Sequence, residues 1–314
     1  MPPTFIVASM CILGVSTVFG VFTNLLIVTV NVFDKVRGRK LNPSDLIMVT
    51  LGAFNVFFQL IMLINDYVSF LDCDLYSSEQ IYTFFTVLLV LPIFSSFWFT
   101  VCLSIYYYLQ IVMFTYPFLI RLKLGVSQLI PKLLMASVFT SVANGIPAAW
   151  YRYKDHLSFD IANNQSLIAA PKVNVVYMLP STIISCSLPL TFIGIANGII
   201  IKSLLSHSHK EDRNANGDLT PKAEARIRAA RTIGGLLLLY ITFYVSEVLL
   251  FIDTFPRNSP GFCACLIVIY IYPPAQSVVL ILGSPKLKQI SLALLHCLFR
   301  KKQPKTIEIV FVKL

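Results

Sequence analysis

The chain has 314 residues, of which 56% are hydrophobic and only 13% charged, with a mean hydropathy of +0.76. A soluble domain carries about a quarter charged residues, so composition excludes that class and points to a polytopic membrane protein. The formal net charge of +10 does not describe a nucleic-acid surface, because the basic residues stand in short connections between apolar runs.

The first predicted span covers residues 5–33, with Asn24 and Asn31 inside it. It follows MPPT without a basic leader, so it reads as a retained span and not as a cleaved signal peptide. After the basic connection Asp34 to Lys40, the run Asn42-Pro43-Ser44-Asp45 marks a helix start, with Ser or Asp able to cap free N–H groups. Span two is expected over 44–65, and an acidic loop with Asp66, Asp72, Asp74 and Glu79 leads into span three, 80–115.

Span three holds the stretch Phe97 to Lys123, in which no charge appears before Arg121. Its aromatic run Tyr106-Tyr107-Tyr108 and the closing Arg121 and Lys123 mark a helix leaving the bilayer on its cytoplasmic side. Thr100, Cys102, Ser104 and Tyr106 lie too deep to meet water. Such groups need protein partners in lipid, which predicts that this helix runs through the bundle interior.

Span four is expected over 129–149, span five over 174–205, span six over 227–252 and span seven over 262–282. The longest polar connection, Ser206 to Ala225, reads as solvated loop. After the break at Gly283-Ser284-Pro285, residues 286–300 are predicted to form an amphipathic helix lying on the membrane. Its apolar positions Leu287, Ile290, Leu294, Leu295 and Leu298 recur at helical spacing. Residues 301–314 remain as a tail.

An odd number of spans puts the termini on opposite sides. All but four of the 25 Lys and Arg residues (Arg152, Lys154, Lys172 and Arg257) fall on one side, which makes the C-terminus cytoplasmic and the N-terminus external. The sequon Asn164-Gln165-Ser166 lies in a loop assigned outside on charge alone, so Asn164 is a candidate glycosylation acceptor. The seven cysteines are scattered, mostly in spans, and describe no disulfide framework. His207-Ser208-His209 and Cys263-Ala264-Cys265 lack the further ligands a metal site needs, and no cofactor is expected.

Seven spans, short loops and a membrane-lying helix suggest a G-protein-coupled receptor, yet the rhodopsin-like signatures Asp-Arg-Tyr after span three and Asn-Pro-x-x-Tyr in span seven are missing. The chain resembles the type 2 (bitter) taste receptor family over most of its length. Span three carries Trp98, Leu103-Ser104, Tyr106 to Leu109 and Tyr116-Pro117. Span five carries Pro189, Ile201, Ser203-Leu204 and His207 in the family's spacing. Span seven ends QSVVLILGSPKLKQ, with Gly283 and Lys286-Leu287-Lys288 matching, and Asn24, Asn31 and Asp45 fit positions around the first two spans. The chain departs from the pattern at Phe54-Asn55, where the family has Ser-Arg, and at Arg226 and Gln276, where the family has histidine. The vomeronasal type 1 receptors share the overall plan and are the competing family.

The resemblance implies a receptor for small bitter-type compounds, with a ligand in the outer half of the bundle acting on a heterotrimeric G protein. Leu89 and Ile93 align with span-three positions that line the family's pocket, which makes that wall apolar here. Phe243, Leu266 and Tyr270 complete the aromatic and apolar candidates, and Tyr272 presents a similar ring; core packing would account for both tyrosines equally well.

Glu247, the only acidic residue well inside a predicted span, is the remaining ligand-binding candidate. Two readings stand for it: a cavity-facing carboxylate that favours cationic ligands, or a structural carboxyl bonded to a nearby hydroxyl or surface water. Asn24 and Asn55 are expected to bond each other between spans one and two.

The basic ends Arg121, Lys123, Arg226, Arg228, Lys286 and Lys288 are the candidates for G-protein coupling, at a plasma-membrane inner face where some basic residues also meet anionic lipid. An intramembrane hydrolase is the enzyme alternative, but all four histidines fall outside the predicted spans and Glu247 has no acidic partner. A secondary transporter would show two related halves, and no such repeat is present.

Overall fold

A computed structural model describes residues 4–71, 78–112, 116–149, 152–153, 172–173, 175–207, 221–252, 254–256 and 259–299. Among these, seven helices are long and apolar enough to cross a membrane. Span one is Thr4–Val36, span two Pro43–Leu71, span three Glu79–Ile111 and span four Val126–Gly145. Span five is built from Val175–Thr182, a π-helical turn Ile183–Ser187 and Leu188–His207. Span six is Pro221–Phe251, span seven Pro260–Gly283, and the helix Pro285–Phe299 follows.

The helix ends show why the chain stops where it does. Gly38 takes φ +78 in the turn after span one, a backbone state that side chains disfavour. Span two begins at Pro43, whose missing N–H costs nothing in a first turn; Ser44 and Asp45, expected as caps, lie inside that turn. Ser78 and Ser259 cap spans three and seven, accepting from Ile81 N at 3.4 Å and Phe262 N at 3.2 Å.

Several boundaries differ from the sequence reading, among them the end of span four, which stops at Gly145 and not at 149. Span two runs on to Leu71, so Asp66 lies within a helix and not in an acidic loop. Span three stops at Ile111, and Pro117–Leu124 forms a separate short helix with Pro117 in its first turn. Span six begins at Pro221, inside the stretch read as solvated loop. The ends of the loop between spans four and five pair as a two-residue antiparallel ladder, Arg152 opposite Val173 and Tyr153 opposite Lys172. Asn164 and the tail after Phe299 lie outside the described residues.

Span three is the interior helix, as its buried hydroxyls require. In its most apolar stretch 61% of residues are buried, against 11% for span one, whose Val15 and Val18 point outward. Thr100 and Ser104 are buried and donate to backbone carbonyls one turn back, Ser96 O at 2.8 Å and Thr100 O at 2.9 Å. Spans one and two approach closely at Gly52, where a Cβ would stand 3.2 Å from Asn24 O.

Prolines interrupt several spans. Pro189 cannot donate within span five, and the register widens just before it, with Leu188 N–H donating to Ile183 O five residues back. In span seven, Pro273 and Pro274 loosen the ladder; Asn24 donates to Pro273 O at 3.4 Å and Ser277 to Pro274 O at 2.7 Å.

Candidate functional site: a polar seam, a central cavity and a basic end

Buried amides in a membrane helix must find each other, and here they do so across four spans. Asn55 on span two donates to Asn24 Oδ1 on span one at 3.1 Å and to Gln276 Oε1 on span seven at 2.8 Å. Gln276 in turn donates to Tyr272 Oη at 3.1 Å and to Thr100 Oγ1 on span three at 3.4 Å. Thr23 and Ser277 share a hydroxyl contact at 2.6 Å beside them. The Asn24–Asn55 bond expected from sequence is present, and Gln276 extends it into a seam.

The seam leads to a cavity near mid-depth. Asn55, Phe58, Pro92, Ile93, Ser96, Phe97, Phe243 and Tyr272 line it, and its volume is only about 10 Å³, the room of about one water. Aromatic rings close it. Phe97 stacks on Tyr240 with centroids 4.0 Å apart, meets Phe243 edge-on at 5.3 Å, and Phe243 tilts against Tyr272 at 4.8 Å.

Of the sequence candidates, Ile93 and Phe243 line this cavity, together with Tyr272. Leu89 packs against the same core cluster without reaching it, and Leu266 is half-buried on span seven. Tyr270 is buried and donates to Asp66, the carboxylate that span two carries up from below. Glu247 is buried, with its carboxylate receiving the Cys186 thiol of span five at 3.9 Å, and the neighbouring Tyr240 donates to the Cys186 carbonyl. The π-helical turn puts Cys186 at that place.

Asn55, Phe58, Pro92, Ser96 and Phe97 were not among the sequence candidates. Pro92, Ile93, Ser96 and Phe97 recur at the spacing of one helix face, and that pattern was the available signal.

At the other end, the basic candidates take four different positions. Lys123 donates to Gln110 O at 3.3 Å, tying the short helix to the end of span three, and Arg121 is exposed beside it. Arg226 is half-buried on the first turns of span six. Lys286 forms an ion pair with Asp34 and donates to Asn31 Oδ1 at 2.9 Å, which clasps the last helix to span one. Asp34 also pairs with Arg39 at 3.3 Å. Arg228 and Lys288 line an open crevice of about 680 Å³ between span six and the junction of span seven with the last helix. On that last helix Leu287 and Ile290 are buried, whereas Leu295, expected on the same face, is exposed.

A seven-span bundle with a buried polar seam, an aromatic cavity and a basic, helix-clasped end is the architecture of a seven-helix receptor in a membrane. The family model described as Taste receptor protein (TAS2R) matches residues 1–299. The chain is 31% identical to Taste receptor type 2 member 40 of Gallus gallus over 285 residues, covering 89% of this chain and 91% of that one. It is 28% identical to Taste receptor type 2 member 39 of Macaca mulatta over 300 residues, 94% of this chain and 88% of that one. Taste receptor type 2 member 7 of Pan paniscus is 28% identical over 287 residues, 87% and 86% of the two chains. The chain belongs to the type 2 taste receptor family: it is a multi-pass chemosensory G-protein-coupled receptor of the bitter-taste class. This is a receptor family and not an enzyme family.

Proposed function

We propose that this receptor takes small, largely apolar bitter-type compounds through the outer half of the bundle into the cavity beneath the Phe97–Phe243–Tyr272 rings. One observation carries the reading: Asn55 and Tyr272 both line that cavity and both belong to the polar seam. A ligand that moves Tyr272 therefore acts directly on Gln276, Asn55 and Asn24, which join spans one, two, three and seven. Ligand sites are typically about 300–1,000 Å³, so binding has to drive these rings apart. That requirement makes the closed cavity the resting arrangement and the expanded one the bound arrangement.

Glu247 and Tyr270 flank the route from outside, Glu247 favouring cationic ligands and Tyr270 turning with Asp66; Leu89 and Leu266 supply apolar wall. The positive-inside bias supports a plasma-membrane orientation with the N-terminus extracellular, Asn164 glycosylated and the C-terminus cytoplasmic. At the cytoplasmic end Arg121, Lys123 and Arg226 border the cleft for a heterotrimeric G protein. Arg228 and Lys288 stand at its edge, and Lys286 contributes by holding the last helix in place. Residues 1–300 form the receptor domain and 301–314 a cytoplasmic tail.

Cells expressing the receptor are tested for calcium release against a panel of bitter compounds. Ile93→Trp, which fills the cavity, should abolish responses while the protein still reaches the surface. A full response from that variant would place the ligand elsewhere. Endoglycosidase treatment tests orientation separately: it should shift the wild-type band, and Asn164→Gln should remove the shift.

A further inference from the structure

The crevice between span six and the last helix is larger than the central cavity, and its walls carry both cations and apolar side chains. Arg228 and Arg231 stand one turn apart on its span-six wall, Lys288 on the facing wall, and Glu224 is the single carboxylate. Three cations against one anion leave a formal excess of two positive charges, and among the described residues none of the three cations forms an ion pair. The remaining lining is apolar, with Ile227, Val279, Leu282 and Leu292. Leu282 is 57% and Leu292 47% exposed. In a membrane protein, exposed leucines beside cations suit an amphipathic molecule, because acyl chains are as apolar as leucine.

Exposed leucines beside unpaired cations on two facing walls fit one kind of molecule. We infer that this crevice is a binding site for an anionic phospholipid whose headgroup carries more than one phosphate. The headgroup lies between Arg228 and Arg231 on one wall and Lys288 on the other, and the acyl chains run along Leu282 and Leu292. More than one phosphate is called for because three cations on two walls stand against a single carboxylate, and Arg and Lys form charge-assisted bonds with phosphate oxygens. Bound there, the lipid bridges span six to the junction of span seven with the last helix, the elements that bound the cytoplasmic end. The choice of leaflet rests on the proposed orientation; the site itself does not.

The full-length receptor, purified in a neutral detergent, is titrated with dioctanoyl phosphatidylinositol bisphosphate, with dioctanoyl phosphatidylcholine and with soluble inositol trisphosphate, and complexes are read by native mass spectrometry. The bisphosphate lipid should bind and the choline lipid should not. Arg231→Gln with Lys288→Gln should weaken the bisphosphate lipid by roughly tenfold or more. Arg121→Gln with Lys123→Gln, basic residues outside the crevice, should keep lipid binding and so control for folding and for loss of charge alone.

Equal binding of the choline lipid, or an unchanged affinity in the crevice variant, would overturn the site. Binding of inositol trisphosphate as tightly as the lipid would overturn the lipid assignment in favour of a soluble polyanion. Because the readout is in detergent, a wrong orientation would leave these results unchanged, whereas the endoglycosidase test would fail.

Discussion

The central cavity and the crevice at the basic end are two gaps in one bundle, and they differ in nearly every physical respect. The cavity admits about 10 Å³, is closed by aromatic rings and is bordered by neutral amides and hydroxyls. The crevice admits about 680 Å³, stands open and is bordered by cations. The difference follows from what each neighbourhood must satisfy. Deep in the membrane, every amide and hydroxyl needs a protein partner, so the helices close around them. At the membrane surface, cations can be satisfied by water or phosphate, so the helices need not close around Arg228, Arg231 and Lys288. A ligand at the centre thus works against packing, while a lipid at the edge meets a preformed site.

The largest expected effect tests the closure of the cavity. Phe243→Ala removes a ring that contacts both Phe97 and Tyr272 and should cost about 3–5 kcal/mol of stability. The purified variant should melt earlier, and bulky agonists should recover stability more than small ones. A variant with an unchanged melting temperature would show that the ring does not hold the gap shut.

A smaller effect should come from the clasp beside the crevice. Lys286→Ala and Asp34→Asn each remove one side of the same charged contact, a loss of roughly 1.5–3 kcal/mol. Each should lower the maximal response, and the double variant should fall by less than the sum of the two, the remainder reflecting Lys286–Asn31 and Asp34–Arg39. Fully additive losses would mean that the Lys286–Asp34 contact itself contributes nothing.

Next comes the seam. Asn55→Leu leaves Gln276 and Asn24 without their donor and should cost about 1–2 kcal/mol, as membrane hydrogen bonds do. Agonist efficacy should change more than agonist potency, because the seam joins helices and touches the ligand only at one end. An equal loss of both would reduce Asn55 to a cavity wall.

The smallest effect separates charge from packing at Glu247. Glu247→Gln keeps shape and hydrogen bonding. Potency of amine agonists should fall about tenfold, roughly 1.4 kcal/mol, with neutral agonists little changed. Matching losses for both kinds would make Glu247 a structural partner of Cys186.

The spans, their order and the interior position of the third were legible in the chain, because a bilayer demands apolar runs of a set length and partners for buried hydroxyls. The Asn24–Asn55 pair was legible for the same reason: two amides in adjacent spans have few other ways to be satisfied. So were three of the eight residues of the cavity wall, Ile93, Phe243 and Tyr272.

What only the packed bundle decided was which polar residue meets which. Asn55 and Gln276 stand where the family pattern has arginine and histidine, and as a sequence they are two unrelated departures. In the fold they touch at 2.8 Å, one neutral amide pair spanning helices 221 positions apart. Asp66 read as a loop acid because Asn65-Asp66 interrupts the apolar run; the helix continues through Tyr67 to Leu71, and Tyr270 donates to the Asp66 carboxylate within the bundle. Lys286 and Lys288 looked alike on the chain, two positions apart at a basic end. A helix turns about 100° per residue, so one points to Asp34 and Asn31 and the other into the crevice. Spacing tells how far apart two side chains lie along a helix; only the neighbouring helix determines what each one finds.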